Sequence, residues 1–226
     1  MSDEKTSVLD KPSVRVVLYE GDGGRPLATE RRHELLSTLL KAGYPVSRVT
    51  SEGELAPADN SPLIVLDDAD LAKVATATVA TGFANAGQVC ISCQRVIATP
   101  GIHDNLLDEL QPRVAGLTAG DQLAEGTNVG PLVREGDAAR VAEWIGDAAT
   151  NGARLLCGGE RDGSVVQPAL LADVSPDMRL SCDELFGPAV GVTRAANIDE
   201  AIALANDTPY GLSAGIFTEN LDAALR

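Results

Sequence analysis

Short β-branched runs alternate with longer Ala- and Leu-rich stretches along this chain, and that alternation limits the folds open to it. Runs of strand character stand at residues 13–19, Val46–Val49, Leu63–Leu66, Arg95–Ala98, Leu155–Cys157 and Val190–Val192. Helical stretches lie between them at Ala28–Lys41, Leu71–Asn85, His103–Gly116 and Glu135–Asn151, and another follows Asn197-Ile198-Asp199-Glu200, an N-cap with its third-position acid. Strands joined by helical crossovers pair in parallel. The expected fold class is therefore α/β, a parallel doubly wound sheet, with ligands expected at the carboxyl ends of the strands.

Composition agrees with that class. Phe, Trp and Tyr make up only 3% of 226 residues while apolar residues make up 44%, so the core has to be built from Ala, Val, Leu and Ile. A polar stretch over residues 51–60 marks a boundary between an N-terminal β-α segment, 1–60, and a second domain, 61–226. The second domain is expected to be incomplete at its C-terminus, because Leu221–Arg226 reads as a helix without a C-cap.

Thirty-three acidic residues against 18 basic ones give a formal charge of −15, which repels phosphate backbones and anionic lipid, so no nucleic acid and no membrane partner is expected. Met1-Ser2-Asp3-Glu4-Lys5 lacks the basic start and apolar run of a signal peptide, and a cytoplasmic address is expected. Four cysteines are too few for a disulfide scaffold and are read for chemistry instead.

Cys90 is the first of these, at the end of Phe83-Ala84-Asn85-Ala86-Gly87-Gln88-Val89-Cys90, just past a predicted helix. A free Cys there is either a small buried hydrophobe or a nucleophile activated by its surroundings. Cys93 makes a Cys-x-x-Cys with it, the spacing of a dithiol redox pair, and is otherwise a core substitution. Cys157 falls in a predicted strand, where packing is its expected role. With Cys182 it forms no second Cys-x-x-Cys, so no metal site is expected. His33 and His103 lie in predicted helices among polar neighbours and give no support to a Cys-His dyad. Tyr19-Glu20-Gly21-Asp22-Gly23-Gly24 fails the Gly-x-Gly-x-x-Gly pattern and is read as a turn; the alternative is a degenerate phosphate-side loop.

Five blocks stand together from residue 62 onward. They are Pro62-Leu63-Ile64-Val65-Leu66-Asp67-Asp68-Ala69-Asp70-Leu71, the Cys90 run continued by Ile91-Ser92-Cys93-Gln94-Arg95, Gly120-Asp121 through Thr127-Asn128-Val129-Gly130-Pro131-Leu132, Glu184-Leu185-Phe186-Gly187-Pro188, and Asn206-Asp207-Thr208-Pro209-Tyr210-Gly211-Leu212-Ser213-Ala214-Gly215-Ile216-Phe217-Thr218. In content, order and spacing they resemble the catalytic domain of the aldehyde dehydrogenase superfamily. Gly87-Gln88-Val89-Cys90-Ile91-Ser92, with Leu180-Ser181-Cys182 before the Glu184 block, is most similar in wording to its lactaldehyde and phosphonoacetaldehyde branch.

The resemblance implies oxidation of a small aldehyde to an acid with NAD or NADP. It makes Cys90 the nucleophile that forms a thiohemiacetal and then a thioester, Glu184 the carboxylate that holds the nicotinamide ribose, and Phe186 the aromatic beside the ring. Without the Phe-Gly-Pro context, Glu184 reads only as an exposed carboxylate in a turn.

The family's Glu-Leu-Gly-Gly signature supplies the base for hydrolysis. Here the counterpart is Glu54-Leu55-Ala56-Pro57, without the glycine pair and two residues upstream of the family spacing, which leaves Glu54 as the candidate base. The family's nucleotide-binding domain and its oxyanion-stabilising Asn precede this point, and residues 1–60 stand there as a remnant or a replacement. Expected partners are the aldehyde and a second copy of the chain or a full-length homologue. The alternatives are a non-redox cysteine hydrolase or acyl-transfer protein, and a non-catalytic binding relic.

Overall fold

The computed structural model describes residues 61–208 and 210–225 in full, together with the backbone of β1 (Val16–Tyr19) and β2 (Val46–Val49). These two strands pair in parallel, Val16 opposite Val46. Glu54, His33 and the Tyr19–Gly24 turn as a whole lie outside the described residues.

Six strands form the main sheet. They are β3 (Ser61–Val65), β4 (Cys93–Ala98), β5 (Arg154–Cys157), β8 (Ala169–Ala172), β9 (Ala189–Arg194) and β10 (Gly215–Phe217), in the spatial order β10-β3-β4-β9-β8-β5. Five run parallel, and β5 lies antiparallel to β8 at one edge. A two-residue pair, β6 (Arg161–Asp162) and β7 (Val165–Val166), makes a separate hairpin.

The α/β expectation holds, with helices on both faces. One core joins Val65, Val96 and Ala98 to α1 (Leu71–Gly82), α2 (Pro100–Ala115) and α3 (Glu135–Thr150) through Val74, Ile102, Leu106, Leu110, Val141 and Ile145. The second joins Ile64, Leu66 and Ile97 to Ala201 and Ala205 of α5 (Ile198–Asn206). Val65 faces one core while Ile64 and Leu66 face the other, the two-residue period of a strand covered on both sides. Two further short helices are α4 (Arg179–Cys182) and α6 (Leu221–Ala224).

Several boundaries differ from expectation for physical reasons. α1 stops at Gly82 rather than Asn85 because Ser92 Oγ donates to the carbonyls of Thr81 (3.3 Å) and Gly82 (3.1 Å), satisfying the last turn. α2 begins at Pro100, three residues early: proline suits the first helical turn, and Asp67 Oδ1 accepts the Gly101 N–H at 2.9 Å. β8 and β10 were not expected. Ala-Leu-Leu-Ala has no β-branched residue, and Gly-Ile-Phe is too short to show a period.

Candidate active site

Cys90 sits in the connection between α1 and β4. A 3₁₀ turn at Ala84–Gly87 holds three consecutive residues at positive φ: Asn85 at 50°, Ala86 at 57° and Gly87 at 70°. Asn tolerates this region, whereas Ala pays ~1–2 kcal/mol for it. The turn is bracketed by side chains, with Asn85 Nδ2 donating to the Gln88 carbonyl and Gln88 Nε2 to the Asn85 carbonyl, each at 3.1 Å. Gln88 Oε1 also accepts the Val133 N–H at 2.9 Å, tying the loop to the segment before α3. The Ser92 N–H then reaches the Val89 carbonyl at 2.8 Å, closing a turn with half-buried Cys90 at its bend.

Glu184 and Phe186 lie between α4 and β9. Phe186 also adopts a left-handed backbone, φ 50°, and leaves 38% of its surface exposed while its neighbour Leu185 is fully buried. A non-glycine residue held there stores ~1–3 kcal/mol, which the surroundings have to enforce.

The two segments meet at glycine. A Cβ on Gly87 would stand 2.1 Å from the Gly187 carbonyl oxygen, so backbone approaches backbone at a distance no side chain permits. Gly187 is packed in turn on Val141 of α3, where a Cβ would meet Cγ2 at 2.5 Å. The Cys90 loop and the Glu184–Phe186 segment are thus adjoining parts of one surface.

The candidate residues stand at the edge opposite the one where ligands were expected. Cys90 precedes β4 and Glu184–Phe186 precede β9, and both strands are parallel, so the site lies at their amino ends. The loops that hold these candidate residues lead into strands, whereas the carboxyl-end rule concerns loops that leave them.

The other candidates separate cleanly. Cys93 is the first residue of β4, only 5% exposed, and burial pushes its thiol up to about 12. Both Cys90 and Cys93 are free thiols. A buried thiol of that kind is a poor partner for exchange with Cys90. Cys157 is half-buried in β5 against the larger core, and burial also raises its thiol. Cys182 is half-buried at the end of α4 and its Sγ lies 3.9 Å from the Asp177 carbonyl. His103 is fully buried near the start of α2, beyond the carboxyl end of β4, while Cys90 precedes the amino end of that strand.

Two polar residues of β4, both within the Cys90 block, had been given no role of their own. Gln94, 4% exposed, donates from Nε2 to the carbonyls of Leu180 (3.2 Å) and Asp183 (2.8 Å) and accepts the Leu185 N–H at 2.8 Å. Arg95 is equally buried and donates to the Leu204 and Ala205 carbonyls at the end of α5. Burial lowers the Arg95 pKa, partly offset by nearby Asp207. The only sequence signal was two polar residues in succession where a buried strand begins.

Comparison with known proteins decides the relationship. The model of the aldehyde dehydrogenase family matches residues 49–226. The chain belongs to the aldehyde dehydrogenase family. It is 41% identical over 168 residues to 3-sulfolactaldehyde dehydrogenase of Priestia aryabhattai, covering 74% of this chain and 35% of that relative. It is 38% identical over 220 residues to betaine aldehyde dehydrogenase of Cereibacter sphaeroides, covering 93% and 46%. An Escherichia coli NADP-dependent enzyme of known structure superposes with a TM-score of 0.72 at 35% identity, covering 94% of this chain and 41% of that one. The chain thus spans less than half the length of these relatives. Within the described residues of this family member, no helix is long and apolar enough to cross a membrane.

Proposed function

We propose that this chain carries the thiol-bearing part of an enzyme that oxidises a small aldehyde to the carboxylic acid with NAD or NADP. The observation that carries the reading is the contact of Gly87 with Gly187, which holds the Cys90 loop against the Glu184–Phe186 segment. In it the Cys90 thiolate adds to the aldehyde carbon: a C–S bond forms and the C=O π pair moves onto oxygen, giving a thiohemiacetal. When bound, the nicotinamide supplies the two-electron acceptor that turns this adduct into a thioester. Cys90 then holds the acyl group until water displaces it and the thiol is restored.

The residues present fit the ribosyl-nicotinamide end of the cofactor. The Glu184 carboxylate is an acceptor for ribose hydroxyls, and the Phe186 ring, kept off the core by its left-handed backbone, offers an apolar face beside it. Glu54 is the candidate base for the hydrolytic water. The reading includes a cytoplasmic setting, where the four cysteines stay reduced, and assembly with a second copy or a longer homologue, to be measured by sedimentation.

Calorimetric titration with NAD and NADP, beside aldehyde-dependent reduction and p-nitrophenyl ester turnover, tests it. The expected result is nucleotide binding and a reduction that Cys90→Ala abolishes. Ester turnover without nucleotide binding replaces the reading with a cysteine hydrolase, and activity unchanged in Cys90→Ala overturns it.

A further inference from the structure

The bonds of Gln94 end on both sides of Glu184. Its Nε2 donates to the Asp183 carbonyl, one residue before, and its Oε1 accepts the Leu185 N–H, one residue after. The remaining N–H goes to the Leu180 carbonyl inside α4, so both amide donors are used. The orientation is fixed by chemistry, since a flipped amide would set its oxygen against two carbonyl oxygens and its NH₂ against an N–H.

A register irregularity lies at this point of the strand. Ser61 pairs with Cys93 and Pro62 with Arg95, leaving Gln94 without a partner on β3. Strict alternation would send Cys93 to the same face as Ile97, yet Cys93 packs in the larger core with Val96 and Ala98, while Ile97 packs in the other. Gln94 keeps its alternation with Val96 and Ala98 and so faces α4, while the irregularity turns its neighbour Cys93 onto the same face, as bulges re-aim side chains beside sites.

We propose that Gln94 is a positioning residue that fixes the backbone around Glu184, and so the carboxylate that takes the nicotinamide ribose; this rests on the reading of Glu184 given above. The Gln94 bonds to Leu180, Asp183 and Leu185 all go to the Glu184 side and none to the Cys90 turn. The Cys90 turn is held separately by Ser92, Asn85 and Gln88. Gln94 therefore acts on cofactor affinity and leaves thiol reactivity alone.

The test is a double-mutant cycle with Gln94→Leu and Glu184→Gln, read by NADP titration, by alkylation of Cys90 with iodoacetamide, and by hydrogen exchange at the Leu185 amide. Gln94→Leu is expected to raise the Kd for NADP by ~10–100-fold, the usual penalty for a displaced positioned group. Leu185 exchange should quicken at least ~10-fold as its buried acceptor is lost. Cys90 alkylation should stay within about twofold. The double variant should bind no more weakly than Glu184→Gln alone, because both changes remove the same contact.

Fluorescence of Trp144, the sole tryptophan, gives a further readout: the Arg179 guanidinium of α4 lies 5.8 Å from its ring centroid, so release of α4 should alter its emission. If Gln94→Leu does not fold, Gln94→Glu takes its place. It keeps the acceptor for Leu185 and regains one donor when protonated, so its NADP affinity should recover as pH falls. An unchanged Kd in the Gln94 variant, with Glu184→Gln still impaired, overturns the proposal. Binding that ignores Glu184→Gln overturns the reading of Glu184. A parent chain that binds no nucleotide removes both.

Discussion

The two edges of the parallel sheet are fastened by different physics. At the amino edge the loops of the candidate site are fastened by uncharged groups: Ser92, Asn85, Gln88 and Gln94 bond to backbone, two glycines let the loops touch, and the charged Arg95 beside them bonds to the end of α5 instead. At the carboxyl edge they are charged. Asp67 accepts from Thr99 and Gly101, Asp68 from Thr218 and Glu219, and the pairs Arg154–Asp173 (2.6 Å) and Arg194–Asp104 (2.7 Å) gather around buried His103. Neutral bonds hold a loop without placing a full charge in it, so the geometry of the amino edge should resist salt and acid. The carboxyl edge should yield to both.

The largest effect expected concerns the two neighbouring thiols at the amino edge. In the native chain iodoacetamide should modify Cys90 and spare Cys93. On unfolding, the Cys93 rate should rise by ~10³-fold or more, because its pKa falls from about 12 toward 9.0 and the thiolate fraction rises in step. Peptide mass spectrometry after timed quenching reads both rates. A Cys93 that reacts in the native chain as fast as Cys90 would mean that the bulge does not bury it. Next in size is Gly87→Ala, which forces a Cβ into the Gly187 carbonyl at φ 70° and should cost ~2–4 kcal/mol in chemical denaturation. A loss below ~1 kcal/mol would show that the two segments can part cheaply.

How far the sequence spoke differs between the edges too. The α/β class, α1 to α3 and the Asn197 cap were legible because each rests on local chemistry: the cap closes as expected, with Asn197 Oδ1 accepting the Glu200 N–H at 3.0 Å. Cys90, Glu184 and Phe186 were singled out through their motif. Their adjacency was not, since it depends on a glycine contact between segments a hundred residues apart in sequence. Gln94 was hidden for a related reason. A strand taken to begin at Arg95 leaves Gln94 in a loop, and only the earlier start at Cys93 sets it in alternation with Val96 and Ala98 on the inward face. The carboxyl-edge network was hidden because Arg154, Asp173 and Arg194 come from three different strand ends.

The carboxyl edge offers two tests of its own. His103 is fully buried beside Asp104 (Nδ1 to Oδ1, 2.8 Å) and Arg194 (2.9 Å from Nδ1), so His103→Ala empties a closed site. The expected loss is ~2–4 kcal/mol in the unfolding midpoint with Cys90 alkylation unchanged. Altered alkylation would instead couple the two edges through β4.

The smallest effect belongs to Asp104, whose carboxyl is held below the ordinary 3.8 by hydrogen bonds from His103 and Arg194. A carboxylate with a lowered folded pKa contributes stability above its unfolded value, and that contribution is lost as pH falls through the folded one. The loss should therefore begin near pH 4 and be complete only further into acid. Thermal melts from pH 5 to pH 3 should show the parent chain losing more than Asp104→Asn, with the two curves converging at the acid end. Added salt at neutral pH should narrow the same gap, because this pair is exposed and screened. Parallel slopes in acid would detach Asp104 from the network. They would leave His103 to hold the carboxyl edge by packing alone, and the contrast with the uncharged fastening of the Cys90 and Glu184 loops would then be one of burial instead of charge.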